Sequence, residues 1–216
     1  MIKFIEKLLS LIYTQPCYFC KSTKEDTILC SKCATKITFL NEVVFKRIKD
    51  TNVYACAIYD DVIKKLIKDF KYHKQKKLAP LQAKLMYEYW QKLNIEGDFL
   101  IIPVPIHNNR KKQRKYNHMD LVADELSKLT NYANNKNFVI RTKDTENQYK
   151  LKKQERIKNI KGAFSLDIAQ NIPKERKFLI IDDITSIGTT LEEIIKLLNK
   201  NGYNDITAIT LATPDF

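Results

Sequence analysis

The chain has 216 residues, of which 38 are Lys or Arg and 25 are Asp or Glu, giving a net charge of +13, and 44% are hydrophobic. That length holds one full domain and a small appendage, and the apolar share excludes wholesale disorder. No stretch reaches the ~18 uninterrupted apolar residues that a membrane-spanning helix needs, so the expectation is a cytoplasmic protein with no membrane span.

Residues 1–13 place Ile2, Ile5, Leu8, Leu9 and Ile12 at helical spacing, which predicts an amphipathic N-terminal helix. Glu6 and Lys7 interrupt the apolar run and no small-residue cleavage site follows, so the segment does not read as a secretory signal. Docking on the main domain is the simplest use of the stripe, and a membrane surface is the alternative.

Residues 14–37 contain Cys17, Cys20, Cys30 and Cys33, two CxxC pairs separated by nine residues. Two residues between cysteines let both thiolates face one point from a tight turn, and two such turns supply the four soft ligands of a tetrahedral Zn²⁺. Two disulfides are the competing arrangement, disfavoured in a reducing compartment, and an iron–sulfur cluster is a further alternative. With four thiolates present no position is left for water, so the expected metal is structural. Cys56 reads as a buried strand residue without chemistry.

From residue 50 to 216 strands and helices alternate. Segments 53–59, 99–106, 137–141, 177–184 and 205–213 read as strands, the second broken by Pro103 and Pro105. Segments 62–72, 78–93, 116–129 and 190–202 read as helices, and 142–159 as a long mobile loop. This alternation predicts an α/β domain with a parallel sheet and crossover helices, whose ligands bind beyond the carboxyl ends of the strands.

The strand at 177–184 ends in Asp182 and Asp183, and Ile184-Thr185-Ser186-Ile187-Gly188-Thr189-Thr190 then opens a helix. Gly188 lets backbone amides turn toward an anion, the helix N-terminus adds partial positive charge, and Ser186, Thr189 and Thr190 offer hydroxyl donors. The paired carboxylates accept hydrogen bonds from vicinal hydroxyls, so the segment suits a sugar phosphate. An N-capped helix beside two solvated aspartates is the plainer reading.

Asp182-Asp183-Ile184-Thr185-Ser186-Ile187-Gly188-Thr189-Thr190 resembles the phosphoribosyl-diphosphate signature of type I phosphoribosyltransferases. With the CxxC pairs and segments 59–79, 101–126, 148–164 and 178–194, nearly the whole chain resembles the ComF family of competence-associated phosphoribosyltransferase-like proteins. The resemblance implies a type I phosphoribosyltransferase-like sheet flanked by helices, with the small N-terminal zinc module. It makes Asp182 and Asp183 the ribose-hydroxyl ligands, and Ser186, Ile187, Gly188, Thr189 and Thr190 the 5′-phosphate loop. Residues 104–112 become the pyrophosphate loop, where Arg110 and Lys111 would meet a Mg²⁺-bound diphosphate. Residues 143–159, with Gln148, Leu151 and Arg156, become a hood loop whose Arg156 closes over the substrate. Ile187 stands where many members have Thr or Ser, and Lys115 replaces a common glycine.

The basic residues are clustered: seven lysines lie in 63–77, five basic residues without an acid in 110–118, and six in 150–161. Such density attracts polyanions, and aromatics among the charges offer stacking faces. Lys71, Tyr72, Lys112, Arg114, Lys115 and Tyr116 are therefore candidates for contacting single-stranded DNA, against the plainer reading of a solvated lysine-rich surface. The family resemblance, through its link to uptake of transforming DNA, adds DNA-uptake or recombination proteins as partners. Two function classes follow. One is a phosphoribosyl-diphosphate and single-stranded DNA binding protein of natural transformation, with a transferase activity whose acceptor is unspecified; the other is a non-catalytic DNA-binding adaptor that keeps the fold.

Overall fold

The computed structural model describes residues 15–41, 44–145 and 153–214. The expected helix over 1–13, and Gln148 and Leu151 of the expected hood loop, lie outside the described residues.

Five strands form the main sheet: β1 (Val44–Ile48), β2 (Thr51–Ile58), β3 (Phe99–Pro103), β6 (Lys177–Ile184) and β7 (Ile206–Thr213), in the order β1-β2-β7-β6-β3. The β2–β7, β7–β6 and β6–β3 pairs are parallel, while β1 joins β2 as an antiparallel edge hairpin. The sheet thus begins at Val44, ahead of residue 50. Both faces are covered, so the central strands read as continuous apolar runs: β7 is buried along its whole length, and β6 from Phe178 to Ile181.

Helices α2 (Asp61–Tyr72), α3 (Ala79–Lys92) and α5 (His118–Thr130) share one core with Phe99, Leu179 and Leu211. Helix α7 (Thr189–Lys200) packs into the other, around Phe178, which stacks on Phe138 at 5.7 Å and meets Tyr203 edge-on at 5.2 Å. Each such ring contributes about 1.5–3 kcal/mol through burial. Helix α2 forms where it does because Asp60 caps it, accepting from the Ile63 amide at 3.0 Å, and because Ile63, Leu66, Ile67 and Phe70 supply one apolar face. Cys56 is fully buried in β2, where burial raises its thiol pKa.

Three expectations need correction. Pro103 does not break its strand. The Ile101 amide points outward to the Ala133 carbonyl, Pro103 two residues later shares that outward side, and pairing continues through the Val104 amide to Ile181. Residues 137–141 do not enter the main sheet. Only Val139–Arg141 form a strand, β4, which pairs antiparallel with β5 (Phe164–Leu166) in a separate ribbon. Its buried, exposed, buried alternation, with Ile140 turned outward, suits a one-sided ribbon and not a doubly covered strand. The stretch 142–159 is not all loop, since α6 (Lys153–Ile160) occupies its end; α4 (Asn108–Arg114), likewise unmarked by apolar periodicity, fills the expected pyrophosphate loop.

Candidate substrate site and metal centre

At the carboxyl end of β6 the burial that made its apolar residues necessary gives way to a cavity of about 340 Å³, and Asp182 and Asp183 line it. The Asp183 amide donates to Asp182 Oδ1 at 2.9 Å. Lys71, near the end of α2, places its ammonium 2.5 Å from Asp183 Oδ2, and His118, first residue of α5, meets the same oxygen through Nε2. Burial would raise the Asp183 carboxyl, but Lys71 and His118 outweigh it and hold the pKa well below the carboxylate range. Asp182 has no ion-pair partner among the described residues. Burial first, and then the neighbouring Asp183 charge, push it up to about 7. The two adjacent acids are therefore inequivalent: Asp183 is held charged at neutral pH and Asp182 is raised to about 7.

The turn after β6 runs through Thr185, Ser186 and Ile187 to Gly188, which N-caps α7 at φ +76°, a left-handed conformation glycine adopts without penalty. Ser186, Gly188, Thr189 and Thr190 line the cavity, so the start of α7 and three hydroxyl-bearing side chains border one volume. Thr185 lines it too, and its buried hydroxyl has no partner among the described residues. Ile187 does not line it; its carbonyl instead accepts from Lys46 Nζ at 3.0 Å.

Cations close the other sides. Arg156, on α6, donates from Nη1 to Ser186 Oγ at 2.9 Å, so α6 reaches the turn that follows β6. Arg110 lines the cavity while donating to the Thr145 carbonyl. Sequence reasoning missed Arg141, which ends β4. It is 8% exposed, lies over the Phe164 ring, and its buried Nε has no partner among the described residues. Burial, then the Arg110 charge, bring its guanidinium down to about 10. The signal was present: a basic residue at a strand's carboxyl end, beside a segment already marked as ligand-binding. His118, for which no local pattern in the sequence indicates a role, is the second miss.

The remaining basic candidates divide. Tyr72 and Arg114 stand at the cavity wall, with the Arg114 guanidinium 4.9 Å from the centroid of a Tyr72 ring that is 52% exposed. Lys112 and Lys115 are exposed outside the cavity, and Lys111 turns toward Asp120 at 3.6 Å. Lys115 holds φ +71°, the conformation for which a glycine is suited, and it caps α4 there. Two placements correct the DNA expectation. Lys71 is engaged with Asp183 inside the cavity. Tyr116 is 7% exposed, packs on Phe70 at 5.9 Å and donates its hydroxyl to the Phe70 carbonyl, so its ring has no face for a base.

Away from the cavity, the sulfurs of Cys17, Cys20, Cys30 and Cys33 all lie within 4.8 Å of one another, with Cys20 and Cys30 at 3.5 Å. A tetrahedron of sulfurs around a metal at about 2.3 Å has edges near ~3.8 Å, so the cluster has the dimensions to hold a metal such as zinc. Burial opposes ionisation of Cys17, yet backbone amides at Cys20, Cys30 and Phe19 prevail and lower it to about 6. Between the first two cysteines, Tyr18 donates to Asp69 Oδ2 at 2.9 Å; Asp69, on α2, also receives Lys65 at 2.7 Å and His73 at 2.8 Å.

Comparison with known proteins agrees with this geometry. Residues 119–215 match the family "Phosphoribosyl transferase domain". Competence protein F of Haemophilus influenzae is 34% identical over 158 residues, 71% of this chain and 69% of its own. The DNA utilization protein YhgH of Escherichia coli K12 is 27% identical over 195 residues, covering 86% and 85%. Competence protein ComFC of Bacillus subtilis is 23% identical over 196 residues, covering 90% and 76%. At the identity and coverage of the Haemophilus influenzae protein, and with the matched domain spanning the strand that carries Asp182 and Asp183, the chain belongs to the ComF family of competence-associated phosphoribosyltransferase-like proteins.

Proposed function

We propose that the cavity binds phosphoribosyl diphosphate with Mg²⁺, that the rim binds single-stranded DNA, and that the protein serves DNA uptake or processing in natural transformation from the cytoplasm. The observation that carries the reading is one cavity presenting an acid pair, a glycine-capped amide turn and the cations Arg110, Arg141 and Arg156 together. Its size suits a small ligand, since such sites span about 300–1,000 Å³. The unpaired Thr185 hydroxyl and Arg141 Nε are buried polar atoms of the kind an anionic ligand satisfies.

In this reading the turn 186–190 holds the 5′-phosphate, Asp182 and Asp183 accept from the ribose hydroxyls, and Arg110 and Arg141 face the diphosphate. Asp182 is the carboxylate suited to Mg²⁺, a hard cation that keeps phosphate and water oxygens and takes one or two carboxylates. Bound Mg²⁺ neutralises charge on a departing diphosphate. Arg156 supplies positive charge and, with α6, covers the phosphate loop against water. The four cysteines hold a structural Zn²⁺ in the same proposal.

Isothermal calorimetry with phosphoribosyl diphosphate and MgCl₂ tests the cavity, with Asp182→Asn/Asp183→Asn as control; an absence of heat for the wild type defeats the reading. The Asp182 carboxyl adds a pH signature. Because its folded pKa is raised to about 7, the ionised form needed by ribose hydroxyls and Mg²⁺ fills in as pH climbs from 6 to 8, and affinity rises with it. The same shift makes folding stability fall over pH 4 to 7, whereas the lowered Asp183 contributes stability above pH 4 that is lost in acid. At pH 7, calorimetry in two buffers of different ionisation heat is expected to show the wild type releasing about half a proton more than Asp182→Asn on binding. Equal release in both proteins would remove Asp182 from the site.

DNA binding rests on the Arg114–Tyr72 stack at the cavity wall and the exposed Lys112 and Lys115 beside it. Replacing Lys112, Arg114 and Lys115 by Gln is expected to lower the slope of log K against log salt by about 2, since single strands give about 0.7 per neutralised phosphate. Tyr72→Ala is expected to weaken oligonucleotide binding about tenfold, the worth of one stacked base. Fluorescence anisotropy across a salt series measures both, and unchanged slopes would place the DNA elsewhere. Oligonucleotide binding with no calorimetric response to phosphoribosyl diphosphate would favour the adaptor alternative.

A further inference from the structure

Lys46 belongs to a strand that sequence periodicity does not mark, and it does not line the cavity, yet its side chain runs along the back of the phosphate loop. The pairing of β1 with β2 shifts register between Val44 and Lys46, an irregularity that redirects a side chain from the regular pleat. Lys46 Nζ donates at once to the Ile187 carbonyl at 3.0 Å and to Glu192 Oε2 at 2.9 Å. Its stem presses against the loop so closely that a β-carbon at residue 188 would lie 3.1 Å from Lys46 Cδ. Glycine at 188 is favoured by its positive φ, and a β-carbon there would also push the Lys46 stem by a few tenths of an ångström.

The peptide between Ile187 and Gly188 is trans, so its carbonyl and N–H point to opposite sides of one plane. With the carbonyl held outward by Lys46, the Gly188 N–H is turned to the other side, where Gly188 lines the cavity. Glu192 locks this arrangement from the first turn of α7, its own amide bonding the Gly188 carbonyl at 2.9 Å, while Lys46 offsets a carboxylate that would otherwise repel an anion at the helix start.

We propose that Lys46 is a positioning residue of the anion site: it fixes the Ile187–Gly188 peptide so that the Gly188 amide takes the bond that the side chain at 187 cannot make. The assignment rests on the phosphoribosyl-diphosphate reading of the cavity and adds to it an element outside the loop that sets the loop's donor pattern.

The test combines calorimetry and ¹⁵N-resolved NMR of the Gly188 amide, using phosphoribosyl diphosphate with Mg²⁺ in one arm and inorganic phosphate in the other. In the wild type the Gly188 proton is expected to move downfield with either ligand. Lys46→Met is expected to lose that shift and about tenfold in affinity. Lys46→Arg, which can still donate to both carbonyl and carboxylate, is expected to recover most of both. Glu192→Gln removes the charge but leaves the carbonyl bond, and is expected to stay within about threefold of wild type. Equal affinity and equal Gly188 shift in wild type and Lys46→Met, or a loss that Lys46→Arg does not restore, would overturn the role of Lys46 alone. A wild type that binds neither ligand would overturn the cavity reading together with it.

Discussion

Asp183→Asn is expected to reduce the affinity for Mg²⁺-phosphoribosyl diphosphate by at least about 100-fold, through loss of a charged acceptor in a low-dielectric site. The same change should weaken the fold, because the Asp183 side chain is buried against Lys71 and His118. Removing one member of a buried pair leaves the other charge without compensation and costs about 3–5 kcal/mol. The lower end applies, since the Lys71 side chain keeps 18% of its exposure and can partly reach water. At roughly 2–4 °C per kcal/mol for a chain of this size, the melting temperature should fall by roughly 6–12 °C. Binding and folding losses then have different remedies. In Asp183→Asn/Lys71→Met the stranded ammonium is gone, so stability should return toward wild type while binding stays abolished. Scanning calorimetry and titration on the wild type and the two variants separate the two effects. A double variant no more stable than Asp183→Asn would show that Lys71 is not held by Asp183 in the way its 2.5 Å contact implies.

That contact also marks where sequence reasoning stops. Asp182, Asp183, Gly188 and the cysteine quartet were legible because each is a local pattern: a buried apolar strand interrupted by acids, a glycine at a strand-to-helix turn, and thiols at metal-binding spacing. Helices α2, α3, α5 and α7 were legible for the same reason, each carrying an apolar face at helical period. Lys71 was read as part of a charged surface because nothing near it in sequence shows that α2 ends over the tip of β6. Tyr116 was read as exposed because its neighbours are basic, whereas it is the residue that turns inward before α5. Helix α4 has no buried residue at all and so no apolar period to detect. Strand β1 is too short and too charged to stand out, and Lys46 was lost with it. The misses share one physical cause: they are set by pairings between distant segments, which periodicity does not encode.

Removal of metal from the cysteine cluster is expected to unfold residues 15–37 while the main sheet persists. The cysteine cluster's own core consists of Cys17, Cys30 and Cys33 with Phe19 and Leu29 against them, too little apolar surface to order a segment of this length. In the proposed zinc site, coordination by four thiolates would supply the missing free energy, about 10–16 kcal/mol in small zinc modules near neutral pH. The tie from this module to the site domain is specific: Tyr18 donates to Asp69 at 2.9 Å, and the ammonium groups of Lys21, Lys65 and Lys77 lie 4.8–5.5 Å from its ring centre. Unfolding the module withdraws one hydrogen bond from Asp69, which is only 5% exposed, but Lys65 and His73 remain to hold it. A bond to a charged acceptor is worth about 1.5–3 kcal/mol, and Tyr18, Phe19, Ile28, Leu29 and Ile37 also leave the main core they pack on, so the main transition should move down by at least about 3–12 °C. Heating the chelated protein is therefore expected to show a single transition, that of the main sheet, at a lower temperature than in the loaded protein. Cys33→Ser should reproduce the chelated profile without added chelator, and elemental analysis of the purified wild type should return about one Zn²⁺ per chain. Protein that carries no metal, or a melting profile indifferent to chelation and to Cys33→Ser, would mean that the four sulfurs order the segment by some means other than coordination.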